Sequence, residues 1–114
     1  MITLNILREL ALSFPEATEE PHFENTSFRV KKKIFATFDP VKNLACLKLS
    51  EINQDVFSAM APSVIYPVPN KWGKQGWTLV DVDKVEEAIF QDALTTAYCE
   101  VAPKRLSERV LGLQ

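Results

Sequence analysis

The sequence predicts an α+β fold in two layers, in which helices cover one face of an antiparallel β-sheet made of a meander and one later strand. Apolar residues recur at helical spacing near the start of the chain and again after residue 84. Between residues 27 and 49 they alternate with polar ones, as in half-buried strands joined by short turns. Because the two patterns are segregated along the chain, an antiparallel sheet is favoured over a parallel one. A chain of 114 residues can bury one core, and we expect a single domain over residues 1–114.

The composition excludes several classes of protein. A hydrophobic share of 46% and a charged share of 25% are those of an ordinary globular protein and not of a disordered chain. No apolar run approaches the roughly 20 residues that a membrane span requires, and the start lacks the basic and then apolar pattern of a secretion signal. We therefore expect a cytoplasmic protein without a membrane partner. In that compartment Cys46 and Cys99 are expected to be buried and unbridged.

The first 25 residues predict a helix followed by a connection. Thr3 is expected to cap the helix and Pro15 to end it. The apolar stripe of this helix comprises Leu4, Leu7, Ala11 and Phe14. The acidic segment that follows predicts a connection with at most a short edge strand at residues 20–23. His22 is the single histidine and has no second imidazole or thiolate nearby, which favours a surface residue over a metal ligand.

The next segment predicts a three-stranded meander. Residues 27–31 and 34–39 form a hairpin that turns at Lys32 and Lys33, so its tip projects positive charge. In the second strand, the residues expected to face the core are Ile34, Ala36 and Phe38. A proline turn leads to the third strand, residues 44–49. The core side of this strand is expected to carry Ala45, Leu47 and Leu49.

A short helix and an unusual loop follow the meander. Ser50 or Asn53 caps the helix, whose apolar set is Val56, Phe57 and Met60. The stretch from residue 64 to residue 80 then holds two tryptophans, two lysines and two of the chain's three glycines. Its prolines predict an extended, irregular approach, and Gly73 and Gly76 predict a tight loop or a bulge. A lysine- and tryptophan-rich loop beside a strand is typical of a binding site.

The last third of the chain predicts one strand and two helices. The strand covers residues 77–82, and Asp83 and Glu86 have the spacing of a capping box that opens the longest helix. The side of that helix expected to face the sheet carries Val85, Ile89, Phe90, Ala93, Leu94, Ala97 and Tyr98. Pro103 fits the first turn of a final helix, which ends before Gly112.

The formal net charge of −2 conceals a division along the chain. Residues 1–28 carry a net charge of −4, residues 29–80 carry +5, and the remainder carries −3. If the middle segment forms a sheet with the two ends packed behind it, one face is basic and can attract a polyanion. The alternative is that these lysines only keep turns and strand edges soluble.

With these residues in place, the chain resembles the MmcQ/YjbR family of small bacterial proteins. The resemblance rests on Leu12–Pro15 followed by Ala17–Glu20, on the hairpin Phe28–Phe38, and above all on Asn70-Lys71 followed by Trp77-Thr78. It implies a fold similar to that of frataxin (CyaY-like) and a double-wing arrangement, proposed to bind DNA through β-ribbons. The chain departs from the family where its hairpin turn holds lysines in place of the common glycine, and where its loop at residues 72–76 is longer.

The residues favour binding over catalysis. The sequence contains no Gly-x-Ser-x-Gly, no P-loop and no Cys-x-x-Cys, so we expect no catalytic residues, no cofactor and no metal site. The resemblance to frataxin-like proteins, which bind iron through an acidic ridge, leaves a metal-binding acidic surface open as a minor alternative.

The leading hypothesis is a monomer that binds DNA. Phosphate contacts are expected from Lys31, Lys32, Lys33, Lys71 and Lys74. Arg29 and Asn70 reach phosphates or base edges, and Trp72 stacks or wedges. Trp77 is expected in the core, facing the long helix. The alternative is a small-molecule or protein-binding module centred on Trp72, with Tyr66 and Pro69 beside it.

Overall fold

A six-stranded antiparallel β-sheet organises the chain and confirms the predicted α+β class. The computed structural model describes residues 1–112, so the last two positions of the expected domain lie outside the described range. In chain order, the elements are α1 (Leu4–Leu12), β1 (Ala17–His22), β2 (Asn25–Val30), β3 (Lys33–Asp39), β4 (Leu44–Lys48), α2 (Glu51–Met60), β5 (Ile65–Pro67), α3 (Lys71–Lys74), β6 (Trp77–Asp81), α4 (Glu87–Val101) and α5 (Lys104–Leu111).

The sheet has one face covered by helices. Its strand order is β1-β2-β3-β4-β6-β5, with each neighbouring pair antiparallel. After the predicted meander, the chain passes through α2 to the edge strand β5 and returns through α3 to β6. Helix α4 packs against β3 and β4, and α1 packs against β1. We call the opposite side the open face; the register places on it Arg29, Ile34, Thr37, Cys46, Lys48 and Trp77.

The core lies between the sheet and α4. Tyr98 and Phe35 are fully buried, and they form an aromatic cluster with Phe14 whose ring centroids are 4.7 to 6.0 Å apart. The Tyr98 hydroxyl donates a 2.7 Å hydrogen bond to the carbonyl oxygen of Pro15, so its polar end is satisfied. As predicted, α4 buries one long side, comprising Phe90, Ala93, Leu94, Ala97 and Tyr98.

Strand β1 is longer than the short edge segment that we predicted. It pairs with β2 over six residues, and Pro21 is tolerated because the strand lies at the edge of the sheet. Glu19 of β1 accepts two hydrogen bonds from the Arg8 guanidinium of α1, at 2.7 and 3.0 Å. The hydrogen bond from Arg8 is the main reason why the pKa of Glu19 lies below its ordinary value of 4.5. The Arg8–Glu19 ion pair therefore links α1 to β1 at the edge of the sheet.

The prediction that Ile34 faces the core is wrong, because a β-bulge interrupts the alternation. Phe28 pairs with Ala36, whereas the next residue, Arg29, pairs with Ile34. Phe35 is the extra residue of the bulge and points to the core, where it is fully buried. Ile34 consequently shares the open face with Arg29.

The lysine turn lies one residue earlier than predicted. Val30 pairs with Lys33, which leaves Lys31 and Lys32 as a two-residue turn. Both have positive φ angles, of 52° and 69°, as a type I′ hairpin requires. Asparagine and glycine suit this geometry best, so the two lysines carry a conformational cost on the order of 1 kcal/mol each.

The start of α2 decides between the two expected N-caps, whereas the apolar set of α2 and the start of α4 need correction. Ser50, and not Asn53, caps α2, and its hydroxyl accepts from the backbone N–H of Asn53 at 3.1 Å. Of the expected apolar set of this helix only Phe57 is buried, while Val56 and Met60 are half exposed. The predicted capping box of α4 is absent from the described residues. The helix begins at Glu87 with Glu86 as an N-cap that makes no side-chain bond, because residues 81–84 form a separate turn.

The glycine-containing segment is more regular than predicted, because it contains the edge strand β5 and the single-turn helix α3. Gly73 lies inside α3, where a Cβ atom would collide with the carbonyl oxygen of Val68. Gly76 has a φ of 102° and lies against the carbonyl of Leu49. Both positions therefore require glycine for close backbone approach, and Gly76 also for its backbone angle. Among residues 1–112 no helix is long and apolar enough to cross a membrane.

Candidate nucleic-acid interface

The basic residues of the middle segment collect at one end of the sheet. The β2–β3 turn, the end of β4, the start of β6 and helix α3 all lie at this end, because neighbouring strands run antiparallel. The opposite end holds the β1–β2 and β3–β4 turns. The charge division that we predicted between two faces is thus chiefly a division between two ends. The open face itself also carries Glu20, which is paired in register with Ser27.

Four cations of this end line one cleft, which we call the basic cleft. It has a volume of about 530 Å³ and is lined by Arg29, Lys32, Lys33, Ile34, Lys48, Trp77, Glu100 and Val101. Within residues 1–112, none of its four cations forms an ion pair with a carboxylate. Glu100 of α4 is the one acid in the lining. The cleft therefore presents four cationic groups beside the Trp77 indole.

Two of the four cations are held by polar contacts with the sheet. The Arg29 Nε donates to the Ser27 hydroxyl at 3.0 Å, and one of its terminal nitrogens donates to the carbonyl oxygen of Pro21 at 3.4 Å. The Lys48 Nζ donates to the carbonyl oxygen of Leu49 at 3.1 Å. Lys48 was not among the residues that we predicted. It enters the cleft because it pairs with Trp77 across β4 and β6, a relation that spacing along the chain does not reveal.

Lys31 does not line the basic cleft and is instead paired with Glu16. Its Nζ lies 2.6 Å from one carboxylate oxygen of Glu16, and a terminal nitrogen of Arg105 lies 3.2 Å from the other. The hydrogen bond from Lys31 is the main reason why the pKa of Glu16 is lowered. Of the three consecutive lysines, only Lys32 and Lys33 line the basic cleft.

Helix α3 carries the remaining predicted residues. The Asn70 side-chain oxygen accepts from the backbone N–H of Trp72 at 2.8 Å, so Asn70 caps the helix. The Lys71 ammonium lies 5.6 Å from the centre of the Trp72 ring, within cation–π range. Trp72 is 49% exposed, and Lys74 is exposed. The helix thus presents an indole with two lysines beside it.

A second concavity, the indole cavity, adjoins the basic cleft on the open face. It has a volume of about 460 Å³ and is lined by His22, Asn25, Ile34, Thr37, Cys46, Val68, Trp72 and Trp77. Trp77 is half-buried on the open face, so the prediction that it faces the long helix is wrong. Ile34 and Trp77 line both concavities, which therefore adjoin, and we call the two together the groove. Burial raises the pKa of the Cys46 thiol to about 11, so this thiol is uncharged at neutral pH.

Gln54 of α2 fixes the position of α3. Its side-chain nitrogen donates to the carbonyl oxygen of Gly73 at 3.0 Å and to that of Trp77 at 3.2 Å. It also lies 3.0 Å from the Thr78 hydroxyl oxygen. Sequence reasoning missed this residue because a glutamine on a short amphipathic helix is usually exposed.

The acidic residues do not gather into a cluster of potential metal ligands in the part of the chain that the structure describes. In residues 1–112, no three side chains of histidine, cysteine, aspartate or glutamate come together to hold an ion. The acidic metal-binding surface therefore gains no support from the geometry.

The fold and the groove define a small α+β domain with one covered and one open sheet face. The model of the YjbR family matches residues 12–100, and the chain belongs to this family. A crystal structure of the Deinococcus radiodurans protein DR2400, described as a DUF419 family-model domain, superposes with a TM-score of 0.80. The two share 24% identity over 100% of this chain and 91% of that chain, which shows a common fold alone. No curated protein matches the chain.

Proposed function

We propose that the protein binds nucleic acid, DNA in the first place, at the basic cleft. The observation that carries this proposal is that Arg29, Lys32, Lys33 and Lys48 line one cleft with the Trp77 indole, and that none of them forms an ion pair with a carboxylate in the described residues. Cations left free in this way can neutralise backbone phosphates, and the hairpin tip that carries Lys32 acts as the wing. Lys71 and Lys74 extend the same end of the sheet.

The number of cations sets the expected salt dependence. If all four residues of the cleft contact phosphates, the logarithm of the affinity falls with a slope of about −3.6 against the logarithm of salt concentration. Affinity then drops roughly a hundredfold between about 50 and 200 mM salt. Fluorescence polarisation with labelled duplex and single strands of random sequence measures this slope.

A matched pair of double variants tests the location of the site. Lys32→Ala with Lys33→Ala removes two cleft cations and is expected to halve the slope. Lys42→Ala with Lys84→Ala changes the net charge equally at the other end of the sheet, and should leave the slope unchanged. Equal losses in both double variants, or binding that ignores salt, would refute the proposed site. Because Lys31 is paired with Glu16, Lys31→Ala should weaken binding less than Lys33→Ala.

A second candidate function is supported by the indole cavity. A concave, largely apolar site beside Trp72 is what a small-molecule binding module requires. Tyr66 and Pro69, which we expected beside Trp72, do not line it. Quenching of the tryptophan fluorescence by small apolar ligands that carry no phosphate, without binding of nucleic acid, would favour this candidate.

A further inference from the structure

We propose that the indole cavity receives one unstacked nucleobase of a single strand, while the adjoining phosphates lie in the basic cleft. This inference rests on the proposed nucleic-acid function and adds to it the form of the ligand, a flexible single strand in preference to a duplex. Its starting observation is that the two concavities share Ile34 and Trp77, so a ligand in one lies next to the other.

The apolar walls of the cavity suit a flat aromatic ring. Both tryptophans of the chain, Trp72 and Trp77, line the cavity together with the side chains of Ile34 and Val68. The Trp72 indole is 49% exposed, and the Lys71 ammonium lies 5.6 Å from the centre of its ring. A half-exposed indole beside a lysine offers a stacking platform for a base, and any of the bases can use it.

The remaining lining residues suit the edge of a base. His22, Asn25 and Thr37 can donate and accept hydrogen bonds, and among the described residues their side chains have no hydrogen-bond partner. An asparagine amide offers the adjacent donor and acceptor that base edges match. A purely aliphatic ligand would leave these groups unpaired, at a cost in binding free energy.

The position of the cations distinguishes a nucleotide from an uncharged aromatic ligand. The basic cleft begins where the indole cavity ends, at Ile34 and Trp77, and continues to Lys32, Lys33 and Lys48. A nucleotide has a matching arrangement, because its base would lie in the apolar cavity and its phosphate in the basic cleft. In a duplex the bases are paired and stacked inside, so a base reaches the cavity only when the strand is single or has opened.

Two single strands of equal charge test the inference. One is an oligothymidylate of roughly twelve nucleotides, and the other is an abasic strand with the same phosphate count. We expect the wild-type protein to bind the first roughly 5 to 150 times more tightly, as one stacked base implies. Trp72→Ala should bring this ratio close to one and leave binding of the abasic strand almost unchanged. Val41→Ala, which removes an exposed apolar side chain from the β3–β4 turn at the opposite end of the sheet, should keep the wild-type ratio.

Fluorescence gives a second reading that does not depend on the Trp72→Ala protein. Since the two cavity tryptophans are the only ones in the chain, oligothymidylate should quench the emission and the abasic strand should not. In Trp72→Phe the remaining Trp77 should still be quenched, because it forms another wall of the same cavity.

Each outcome that contradicts the inference can be recognised. Equal, salt-sensitive binding of both strands overturns the base-binding cavity and leaves the proposed function standing. Lack of binding to either strand at about 50 mM salt overturns both. Quenching by an aliphatic carboxylate but not by the oligothymidylate assigns the cavity to a different ligand and overturns the inference.

Discussion

Gln54 connects the fold to the groove, and its substitution tests how the groove is held. Its side chain is 6% exposed, and its amide nitrogen faces Gly73, Trp77 and Thr78. The Thr78 hydroxyl gives its hydrogen to the carbonyl oxygen of Gly76 at 2.9 Å, so all three partners of Gln54 act as acceptors. An amide nitrogen has two hydrogens, which the three acceptors must share. The glutamine therefore contributes about two net hydrogen bonds.

Two substitutions at Gln54 have different expected costs. Gln54→Met keeps the length of the side chain and removes both donors. The carbonyl oxygens of Gly73 and Trp77 each keep one backbone hydrogen bond, so the expected loss is about 2 kcal/mol of the free energy of unfolding. Gln54→Glu instead places a carboxylate among three acceptors, and at neutral pH it should cost more than about 3 kcal/mol.

The glutamate variant has a distinctive pH dependence. A protonated glutamate can donate one hydrogen bond to this site, so folding should raise the pKa of the new carboxyl group. The penalty is then small below about pH 4.3, where both the folded and the unfolded state are protonated, and it grows as the pH rises above that value. An apolar substitution has no reason to show this dependence.

Urea unfolding at several pH values measures these effects, with Gln91→Met on the exposed side of α4 as the control. Because Gln54 anchors α3, Gln54→Met should also weaken quenching of the tryptophan fluorescence by a bound strand. A Gln54→Glu protein as stable as the wild type at pH 7 would refute the argument, since the carboxylate could not then lie among acceptors.

Three further predictions concern the turn, the sheet edge and the cavity wall. Replacing Lys31 by Asn and Lys32 by Gly should raise the melting temperature by roughly 5 to 10 °C, because up to about 1 kcal/mol of strain is relieved at each of the two positions; an unchanged melting temperature would contradict the left-handed turn. Folding lowers the pKa of Glu19. The Glu19 carboxylate therefore adds its full share to the free energy of unfolding above about pH 4.5, and this share is lost as the pH falls through the pKa of the folded state. In Glu19→Gln the urea midpoint should therefore fall less steeply with decreasing pH than in the wild type; an unchanged pH dependence would contradict the ion pair. Burial raises the pKa of both thiols, and it raises that of Cys46 further, to about 11; alkylation at pH 8 should therefore modify Cys99 first, and faster labelling of Cys46 would contradict its higher pKa.

The parts of the fold that local chemistry decides could be predicted from the sequence. The hydroxyl of Thr3 accepts from the backbone N–H of Ile6 at 3.2 Å, as expected of an N-cap. Gly112 ends α5 with a φ of 74°, as expected of a glycine after a helix. In both cases the deciding partners lie within a few residues, so their spacing is visible in the sequence.

The groove was less predictable because chain-distant partners build it. The bulge at Phe28 and Arg29 moves Ile34 to the open face, and no residue type in the hairpin marks a bulge of this kind. Gln54 reaches its partners across 19 to 24 positions, and Lys48 joins the basic cleft through cross-strand pairing. The sequence therefore predicted lysines and an indole at the candidate site, but not which lysines line the basic cleft.

The distribution of charge also limits how a strand can lie on the protein. At the end opposite the basic cleft, the β1–β2 turn carries Glu24, β3 ends at Asp39 and β6 ends at Asp81. A long polyanion laid along the strands would pass from the cations to these carboxylates. Repulsion by the carboxylates would then cancel part of the binding free energy that the cations provide. A strand that crosses the basic end and turns one base into the indole cavity avoids Asp39 and Asp81, and of the three carboxylates only Glu24 neighbours a residue of the cavity, Asn25. The same geometry makes the proposed binding compatible with a net charge of −2, and it predicts a footprint of only a few phosphates, which the salt slope counts directly.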